Sequence, residues 1–348
     1  MSSPNSTGRA LGVVVGILAD AILGDPRRGH PVAGFGSIAA RLEGCTYANS
    51  RVAGVVHTGL LVTALAVGGV AAERAAARRG PLATAAVTGL VTFFTLGGTS
   101  LGRVGSRMSG LLESGDVDDA RRLLPALCGR DPSALDAEGL ARAAAESIAE
   151  NTSDAHVAPL LWAAAAGVPG MLVYRGANTL DAMIGNRSPR YGRFGWAAAR
   201  FDDGLNLLPA RVTGVLTALC APLVGGAPGA ALTAWRRDAA RHPSPNAGVA
   251  EASFAGALGV RLGGPTQYAH ALEIRPTLGD GPAPGVPDLR RAVRLSRSVQ
   301  LTAGALAVVA VSAAGRTGRR ACPPGSAAPR ARLRRRRGRG GAGGSRRR

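Results

Sequence analysis

The chain has 348 residues, of which 46% are hydrophobic and 4% aromatic, and its formal net charge at pH 7 is +20. All 42 basic residues are arginine, which excludes a Walker A phosphate loop and the lysine chemistry of Schiff bases and pyridoxal phosphate. Four distant cysteines and five histidines show no zinc or disulfide spacing, which favours free buried thiols.

Long apolar runs recur along the chain and approach the roughly 20 residues that cross a bilayer. In chain order they are Ala10–Gly24, Val52–Ala72, Leu82–Gly102, Ala155–Tyr174, Val212–Ala234 and Ser298–Gly315. The second and third runs are uncharged and are separated only by "ERAAARRGP", which is typical of a transmembrane hairpin rather than of buried helices in a soluble protein. We predict an all-α, multi-pass protein of the cell membrane with about four to six embedded helices.

Polar stretches separate these runs and contain helices of their own. Val117–Leu127 has an amphipathic pattern, and Ser133 or Asp136 is suited to cap the helix that follows. We expect residues 1–315 to form one membrane-embedded helical domain that carries the active site. Residues 316–348 hold 13 arginines without an acid and are expected to be a disordered tail with no specific nucleic-acid partner.

One acidic stretch, "AESIAENTSDAHVAPLLW", leads directly into an apolar run. In a helix, Glu146, Glu150 and Asp154 share one face, and like charges at that spacing repel unless a cation or arginines neutralise them. A solvated helix face is the alternative. Small apolar neighbours favour a face that points into the protein, where carboxylates and Asn151 could bind Mg²⁺ or substrate.

A second stretch, from Tyr174 to Gly214, combines acids, carboxamides and arginines. Such a mixture resembles a site for phosphate groups and Mg²⁺, although structural ion pairs at the membrane surface remain the alternative. The candidate residues are Asn178, Asp181, Asp202, Asp203, Asn206, Arg175, Arg187, Arg190, Arg200 and Arg211.

Two shorter segments carry weaker signals. "LGDPRRGHPVAGFG" places Asp25 and His30 in a turn fixed by proline and glycine, and such a histidine is more often structural than catalytic. "SPNAGVAEASFAGALGVRLGG" places Asn246 and Glu251 before a glycine-rich, nearly apolar helix, and helices of small residues often simply pack closely in membranes.

These segments together resemble the cobalamin biosynthesis membrane proteins of the CobD/CbiB family, the cobinamide or adenosylcobinamide-phosphate synthases. The resemblance runs in order from about Leu11 to Leu262, and "ESIAENTSDAHVAPLLW" and "NTLDAMIGNRSPRYGRFGWAAARFDDGLNLLPAR" are its most specific parts. It implies a membrane enzyme that joins (R)-1-amino-2-propanol, or its O-phosphate, to a propionate of adenosylcobyric acid as an amide. Other late enzymes of the corrinoid pathway are candidate partners.

The resemblance also suggests ATP dependence, because an amide does not form spontaneously from a carboxylate and an amine in water. An acyl phosphate or acyl adenylate intermediate is our hypothesis. We expect Mg²⁺ on Glu150, Asp154, Asp202 and Asp203. Catalytic roles are assigned to Glu146, Glu150, Asp154, Asp181, Asp202, Asp203 and His30, with His30 or an acid as general base. Substrate-binding roles are assigned to Asp25, Asn151, Arg175, Asn178, Arg187, Arg190, Arg200, Asn206, Arg211, Asn246 and Glu251.

Topology constrains this hypothesis. If every apolar run crossed the bilayer, Glu150 and Asp203 would face opposite aqueous phases. Pro159, Gly167 and Pro169 interrupt the run between them, so we predict a re-entrant or half-buried hairpin at Ala155–Tyr174. The two acids should then lie within roughly 20 Å of each other, on one side of the hydrocarbon slab.

Three other functions share some of these sequence features. A transporter would place acids within its spans, whereas here only Asp20 lies inside an apolar run. A Mg²⁺-dependent membrane transferase acting on a lipid phosphate is compatible with Asp202 and Asp203, but the chain lacks a repeated DxxxD spacing. A non-catalytic membrane sensor would not require so many clustered polar residues.

Overall fold

The computed structural model describes residues 4–26, 29–133, 135–186, 188–267 and 272–317. Arg187 and residues 318–348 of the predicted tail therefore lie outside the described residues. Within these ranges the chain is almost entirely helical, as predicted, and its elements are α1 (Pro4–Leu23), α2 (Pro31–Thr46), α3 (Arg51–Arg79), α4 (Pro81–Thr95), α5 (Gly98–Glu113), α6 (Val117–Leu123), α7 (Ala137–Thr152), α8 (Ala158–Ile184), α9 (Trp196–Cys220), α10 (Pro228–Asp238), α11 (Ala247–Leu258), β1 (Leu262–Gln267), β2 (Leu272–Leu278) and α12 (Val286–Thr317).

Six helical segments within the described ranges are long and apolar enough to cross a membrane, which supports the multi-pass prediction. They are Ser6–Leu23, Arg51–Arg79, Pro81–Glu113, Ala137–Ile184, Trp196–Val224 and Val286–Ala314. The predicted run Val212–Ala234 is not one span, because α9 ends at Cys220 and a left-handed Gly225 (φ 77°) turns the chain toward α10.

Small residues bring α1 and α4 together. Gly8, Gly12 and Gly16 recur every four residues on α1, and a Cβ atom at any of them would lie 2.4–2.6 Å from an atom of α4. Glycine at this spacing lets two helix backbones approach closely, which is a common packing mode in membranes. The "GRALGVVVG" segment is therefore shaped to pack against α4.

The chain reverses direction within α8. Gly167 has φ 67° and ψ −147°, a conformation open almost only to glycine, and Pro169 follows. A straight helix would hold residues 154 and 174 about 30 Å apart, yet the Tyr174 hydroxyl oxygen lies 3.2 Å from the Asp154 carbonyl oxygen. The predicted helical hairpin is confirmed, and both of its ends lie at the same end of the bundle.

Helix α7 leads into this hairpin and is enclosed by protein. Asp136 caps it by accepting from the Gly139 N–H at 2.8 Å, as one of the two predicted caps. Ten of its sixteen residues are buried, and five of these are alanines that allow α5, α11 and α12 to pack closely. Among the three acids of this stretch, Glu146 is buried, Asp154 is half-buried and Glu150 is exposed, so the stripe is not one solvated helix face.

A β-hairpin was absent from the all-α prediction. Helix α11 ends at Leu258 with left-handed Gly259 (φ 70°), and Glu251 lies within this helix rather than before it as predicted. Strands β1 and β2 follow and pair antiparallel, with an irregularity between Leu262 and Gly264. Gly263 and Gly264 both have positive φ there, which explains why glycine occupies these positions. The hairpin contacts α7 at Glu146, which accepts from the Gly263 N–H and lies 3.6 Å from Arg275.

The described cysteines are free, as predicted, but only Cys220 is fully buried, because Cys45 is exposed and Cys128 is half-buried. Cys322 lies outside the described residues.

Candidate active site

Helix α7 and the first turn of the hairpin supply the first two acids of the site. One turn of π-helix, Ser153–Val157, joins α7 to α8 and changes the direction in which the following side chains point. Single π-helical turns of this kind are frequent at functional sites. Glu150 and Asp154 both line an enclosed pocket of about 160 Å³, whereas Glu146 does not.

The returning half of α8 and the start of α9 supply three more acids. The same pocket, which we call the acidic pocket, is lined by Glu150, Ser153, Asp154, Asp181, Ala199, Asp202, Asp203, Asn206, Ser244, Asn246, Ala247 and Ala250. Glu150 and Asp203 therefore border one cavity, and the prediction that they lie on the same side is confirmed. The helical reversal at Gly167 makes this possible.

A chain of hydrogen bonds orients the polar groups of the acidic pocket. The Tyr174 hydroxyl donates to Asn206 Oδ1 at 2.9 Å, and Asn206 Nδ2 donates to Asp202 Oδ2 at 2.9 Å. Asn178 Nδ2 lies 3.3 Å from Asp154 Oδ2. The buried tyrosine thus fixes the carboxamide of Asn206, which in turn fixes the Asp202 carboxylate.

Helix α11 closes the acidic pocket from the other side. Asn246 Nδ2 donates to the Asp203 carbonyl at 2.7 Å, and Arg211 Nη1 donates to Asn246 Oδ1 at 2.7 Å. Both residues were predicted as substrate ligands. Arg211 does not line the acidic pocket and instead reaches it through Asn246.

The acidic pocket has the chemistry of a cation site. Its five carboxylates would repel one another without positive charge, and Asp202 Oδ1 is buried with no hydrogen-bond partner among the described residues. Within those residues, no three His, Cys, Asp or Glu side chains form a complete metal cage. Mg²⁺ fits such an open set, because it usually takes one or two carboxylates and fills its other positions with water and substrate phosphate oxygens.

A larger cavity of about 1020 Å³, which we call the vestibule, adjoins the acidic pocket. Glu150, Asp181, Ala199, Asp203 and Ser244 line both cavities. The other residues of the vestibule wall include Arg130, Ser147, Tyr191, Trp196, Arg200, His242, Glu273 and Arg275. The vestibule therefore presents three guanidinium groups next to a concentrated negative charge.

Glu146 belongs to a buried ionic cluster beside the vestibule. Its carboxylate pairs with Arg130, lies 3.6 Å from Arg275 and accepts from the Gly263 N–H at 2.7 Å. These contacts join α7 to the β-hairpin. The structure thus places the predicted catalytic Glu146 outside the acidic pocket, where it anchors the hairpin.

Glu251 lies in the same ionic cluster. Arg275 Nη2 is 3.3 Å from its Oε1, and His242 Nε2 is 3.6 Å away. Burial raises the pKa of Glu251 to about 8, although Arg275 opposes the shift, and burial together with Arg275 lowers the pKa of His242 to about 4. At neutral pH the histidine is therefore uncharged.

Asp25 and His30 lie outside both cavities. His30 Nδ1 accepts from the Val32 N–H at 3.2 Å and so caps α2, while Nε2 lies 3.8 Å from Asp25 Oδ1. Burial lowers the pKa of His30. These contacts support a structural role for His30. The general base is therefore expected to be one of the acids.

The remaining predicted residues divide between the site and its surroundings. Arg200 lines the vestibule and lies 3.4 Å from Asp203. Arg190 instead pairs with Glu43 at 2.7 Å and stacks on Tyr47, and Asn151 bonds within its own helix to Ser147. Arg175 lies on α8 near Asp154 without lining either cavity.

Four vestibule residues were missed by sequence analysis: Arg130, His242, Glu273 and Arg275. Nothing local marks Arg130, which follows an unremarkable turn. His242 lies just before the "SPN" segment, and this proximity was the one sequence signal that could have marked it as a site residue. Glu273 and Arg275 reach the site through the β-hairpin that was not predicted.

Comparison with known proteins identifies the family. A model of the CobD/Cbib protein family matches residues 13–296. Two relatives are named cobalamin biosynthesis protein CobD. The Mycobacterium tuberculosis protein is 63% identical over 303 residues, which cover 87% of this chain and 96% of the relative. The Geobacter metallireducens protein is 42% identical over 272 residues, which cover 77% of this chain and 86% of the relative. The chain belongs to the CobD/Cbib family. A Rhodobacter capsulatus protein of the same name is 43% identical over 295 residues, 82% of this chain and 92% of its own. No solved structure matches this chain.

This membership makes the chain a cobalamin biosynthesis protein of the CobD type. Three of the four segments that carried the resemblance contribute residues to the acidic pocket or the vestibule, whereas the segment with Asp25 and His30 contributes none. The family match ends at residue 296, so it includes the acidic pocket, the vestibule and the β-hairpin.

Proposed function

We propose that this protein forms an amide between a propionate of adenosylcobyric acid and (R)-1-amino-2-propanol or its O-phosphate, giving adenosylcobinamide or its phosphate at the cell membrane. The observation that carries the proposal is the junction of the two cavities, where Glu150, Asp181 and Asp203 border both the acidic pocket and the vestibule. The family membership supplies the corrinoid context.

The vestibule suits a large substrate that carries a carboxylate. Its volume of about 1020 Å³ lies at the upper end of ordinary small-molecule sites, as a corrin ring requires. Arg130, Arg200 and Arg275 line it, and a guanidinium group binds a carboxylate or a phosphate through paired hydrogen bonds. The side chains of Tyr191 and Trp196 add flat surfaces against which a macrocycle can pack.

The acidic pocket suits Mg²⁺ and the phosphates of a nucleotide. Glu150, Asp154, Asp202 and Asp203 are the side chains that would hold the metal, and Asp202 has the unpartnered oxygen. When bound, Mg-ATP supplies the activation that makes condensation of a carboxylate with an amine favourable.

The acids at the junction have a second task. An aminopropanol enters as an ammonium ion, which the carboxylates attract, and it must lose one proton before its nitrogen can attack the carboxyl carbon. Asp181 is placed to accept that proton, because it borders both cavities and makes no ion pair with an arginine among the described residues. Arg200, beside Asp203, would stabilise negative charge that develops on the carboxyl oxygens.

Growth and product formation together test the proposal. The full chain is expressed in a bacterium that lacks its cobinamide synthase and is supplied with cobyric acid. Glu150→Gln and Asp203→Asn keep the shape of each side chain and remove its charge. Asp118→Asn is the matched control, since Asp118 is 77% exposed on α6 and distant from both cavities.

We expect the parent and the control to restore growth and the two site variants to fail. Membranes from each strain, incubated with cobyric acid, Mg-ATP and either amine, should form the amide only with the parent and the control. A parent chain that is present in the membrane but forms no corrinoid amide with either amine would refute the proposal.

A further inference from the structure

A third cavity lies away from the acidic pocket, between α1 and α12. Its volume is about 700 Å³, and we call it the α1/α12 groove. Its wall includes Ile17, Asp20, Arg103, His156, Arg297 and Leu301. None of these residues lines the acidic pocket or the vestibule.

The groove has an apolar length and a polar end. The α12 residues from Arg297 to Val308 recur at helical spacing on one face, and Ile17 of α1 lies 3.4 Å from where a Cβ of Gly304 would stand. The eleven helical rises from Arg297 to Val308 span about 16 Å, close to half of the roughly 30 Å hydrocarbon core of a bilayer. The groove is therefore as long as one leaflet is deep.

Two arginines stand at the polar end. Arg103 donates to the Ile22 and Leu23 carbonyls at 3.1 and 3.0 Å, and Arg297 donates to Ser106 Oγ at 3.2 Å. Both side chains border the groove while each residue remains exposed. Further N–H groups on each guanidinium are available to an anion at the level where α1 ends.

Two residues of the groove wall carry a buried polar atom. Asp20 and His156 are only 2% and 4% exposed, and within the described residues Asp20 Oδ1 and His156 Nδ1 have no hydrogen-bond partner. The other oxygen of Asp20 accepts from Thr99 Oγ1 at 2.9 Å. These two side chains therefore add a polar section to a wall that is otherwise mostly apolar.

We propose that the α1/α12 groove binds one phospholipid from the leaflet on the side of the active site. Its phosphate lies against Arg103 and Arg297, its glycerol region lies at the level of Asp20 and His156, and one acyl chain follows Ile17, Leu301 and Val308. The π-helical turn separates this site from the acidic pocket, since Asp154 faces the pocket and His156 faces the groove.

Native mass spectrometry of the full chain in a mild detergent tests this proposal. Dioleoyl phosphatidylglycerol is titrated onto the parent, onto Arg297→Gln, which removes a phosphate contact, and onto Gly304→Leu, which fills the groove. The matched controls are Arg79→Gln, at the opposite end of the bundle, and Gly59→Leu on an exposed face of α3 with no atom within 4 Å of its Cβ position.

We expect one tightly retained lipid on the parent and on both controls, and at least fivefold weaker binding to both groove variants. Dioleoylglycerol, which lacks the phosphate, should also bind at least fivefold more weakly, and glycerol 3-phosphate should not displace the lipid. Equal binding by the groove variants, equal binding of dioleoylglycerol, or displacement by glycerol 3-phosphate would each overturn the proposal. The readout needs no enzymatic activity, so it is independent of the proposed reaction.

Discussion

Replacing Glu146 with alanine should destabilise the protein far more than it impairs chemistry. The Glu146 side chain is 1% exposed and that of Arg130 is 8% exposed, so the substitution leaves a buried guanidinium without its main partner and leaves the Gly263 N–H without its acceptor. Breaking a buried ion pair in this way costs about 3–5 kcal/mol. At about 2 °C per kcal/mol for a chain of this size, the Tm should fall by about 6–10 °C.

The matched control for Glu146→Ala replaces both partners. In Glu146→Met with Arg130→Met, no buried charge of the pair is left alone, and well-packed apolar replacements of such pairs are often nearly neutral. Its Tm should therefore lie above that of Glu146→Ala, with a residual loss from Gly263 and Arg275. Thermal unfolding in detergent, followed by tryptophan fluorescence, measures all three proteins.

Activity per folded molecule, measured below the lowest Tm, then separates anchoring from catalysis. We expect Glu146→Ala to keep more than a tenth of the parent rate. A variant that melts with the parent but has lost all turnover would show that Glu146 acts in the reaction, and the assignment of this residue to the hairpin anchor would be wrong.

Three further predictions follow from the site and the fold. Asp202→Asn should preserve or raise the Tm, because it removes a repelling charge from the acidic pocket. The same substitution should lower turnover at least about 100-fold. Unchanged turnover would exclude Asp202 from the reaction. Gly167→Ala should lower the Tm by about 2–6 °C, because the positive φ at this position costs alanine about 1–3 kcal/mol. Gly59→Ala on α3 is the control and should leave the Tm unchanged. Equal effects of the two substitutions would show that the reversal tolerates a side chain. Above pH 4.5 the unfolded chain releases the Glu251 proton, while the folded chain keeps it up to about pH 8, so stability should fall as pH rises from 6.5 to 8. Glu251→Gln should flatten that part of the Tm-against-pH curve, and an unchanged slope would assign it to another group.

The helical hairpin and the convergence of the acids could be predicted from local sequence. Pro159, Gly167 and Pro169 interrupt an apolar run between two acidic segments, and one pocket for both segments requires the chain to turn back there. Backbone geometry at Gly167 satisfies that requirement. The roles of the acids in catalysis and metal binding remain predictions.

The separation of Glu146 from Glu150 and Asp154 could not be predicted from their spacing. A regular helix places all three on one face, but the π-helical turn and the partners of Glu146 decide which acids reach the pocket. Arg130 and Arg275, which bind Glu146, come from distant parts of the chain. Long-range pairing of this kind leaves no periodic signal in a sequence.

Two predicted ligands illustrate the same difficulty. Arg190 contacts Glu43 across 147 positions of sequence, and His30 uses its Nδ1 to cap the helix that it precedes. Both residue types occur in active sites and in structural roles, so composition and proximity to glycine could not separate the alternatives. The β-hairpin was missed because "RLGGPTQ" contains more turn-forming residues than strand-forming ones.

The π-helical turn at Ser153–Val157 also limits which insertions and deletions the chain can accept. A π-helical turn contains about one residue more than an α-helical turn, so losing one residue within it would restore regular α-helical winding and leave the helix beyond it in nearly the same orientation. Trp162, whose indole N–H donates to the Leu205 carbonyl at 3.2 Å, would keep its contact with α9. Losing one residue just outside the turn would instead rotate the following helix by about 100°, so the chain here can be shortened by one residue only within Ser153–Val157.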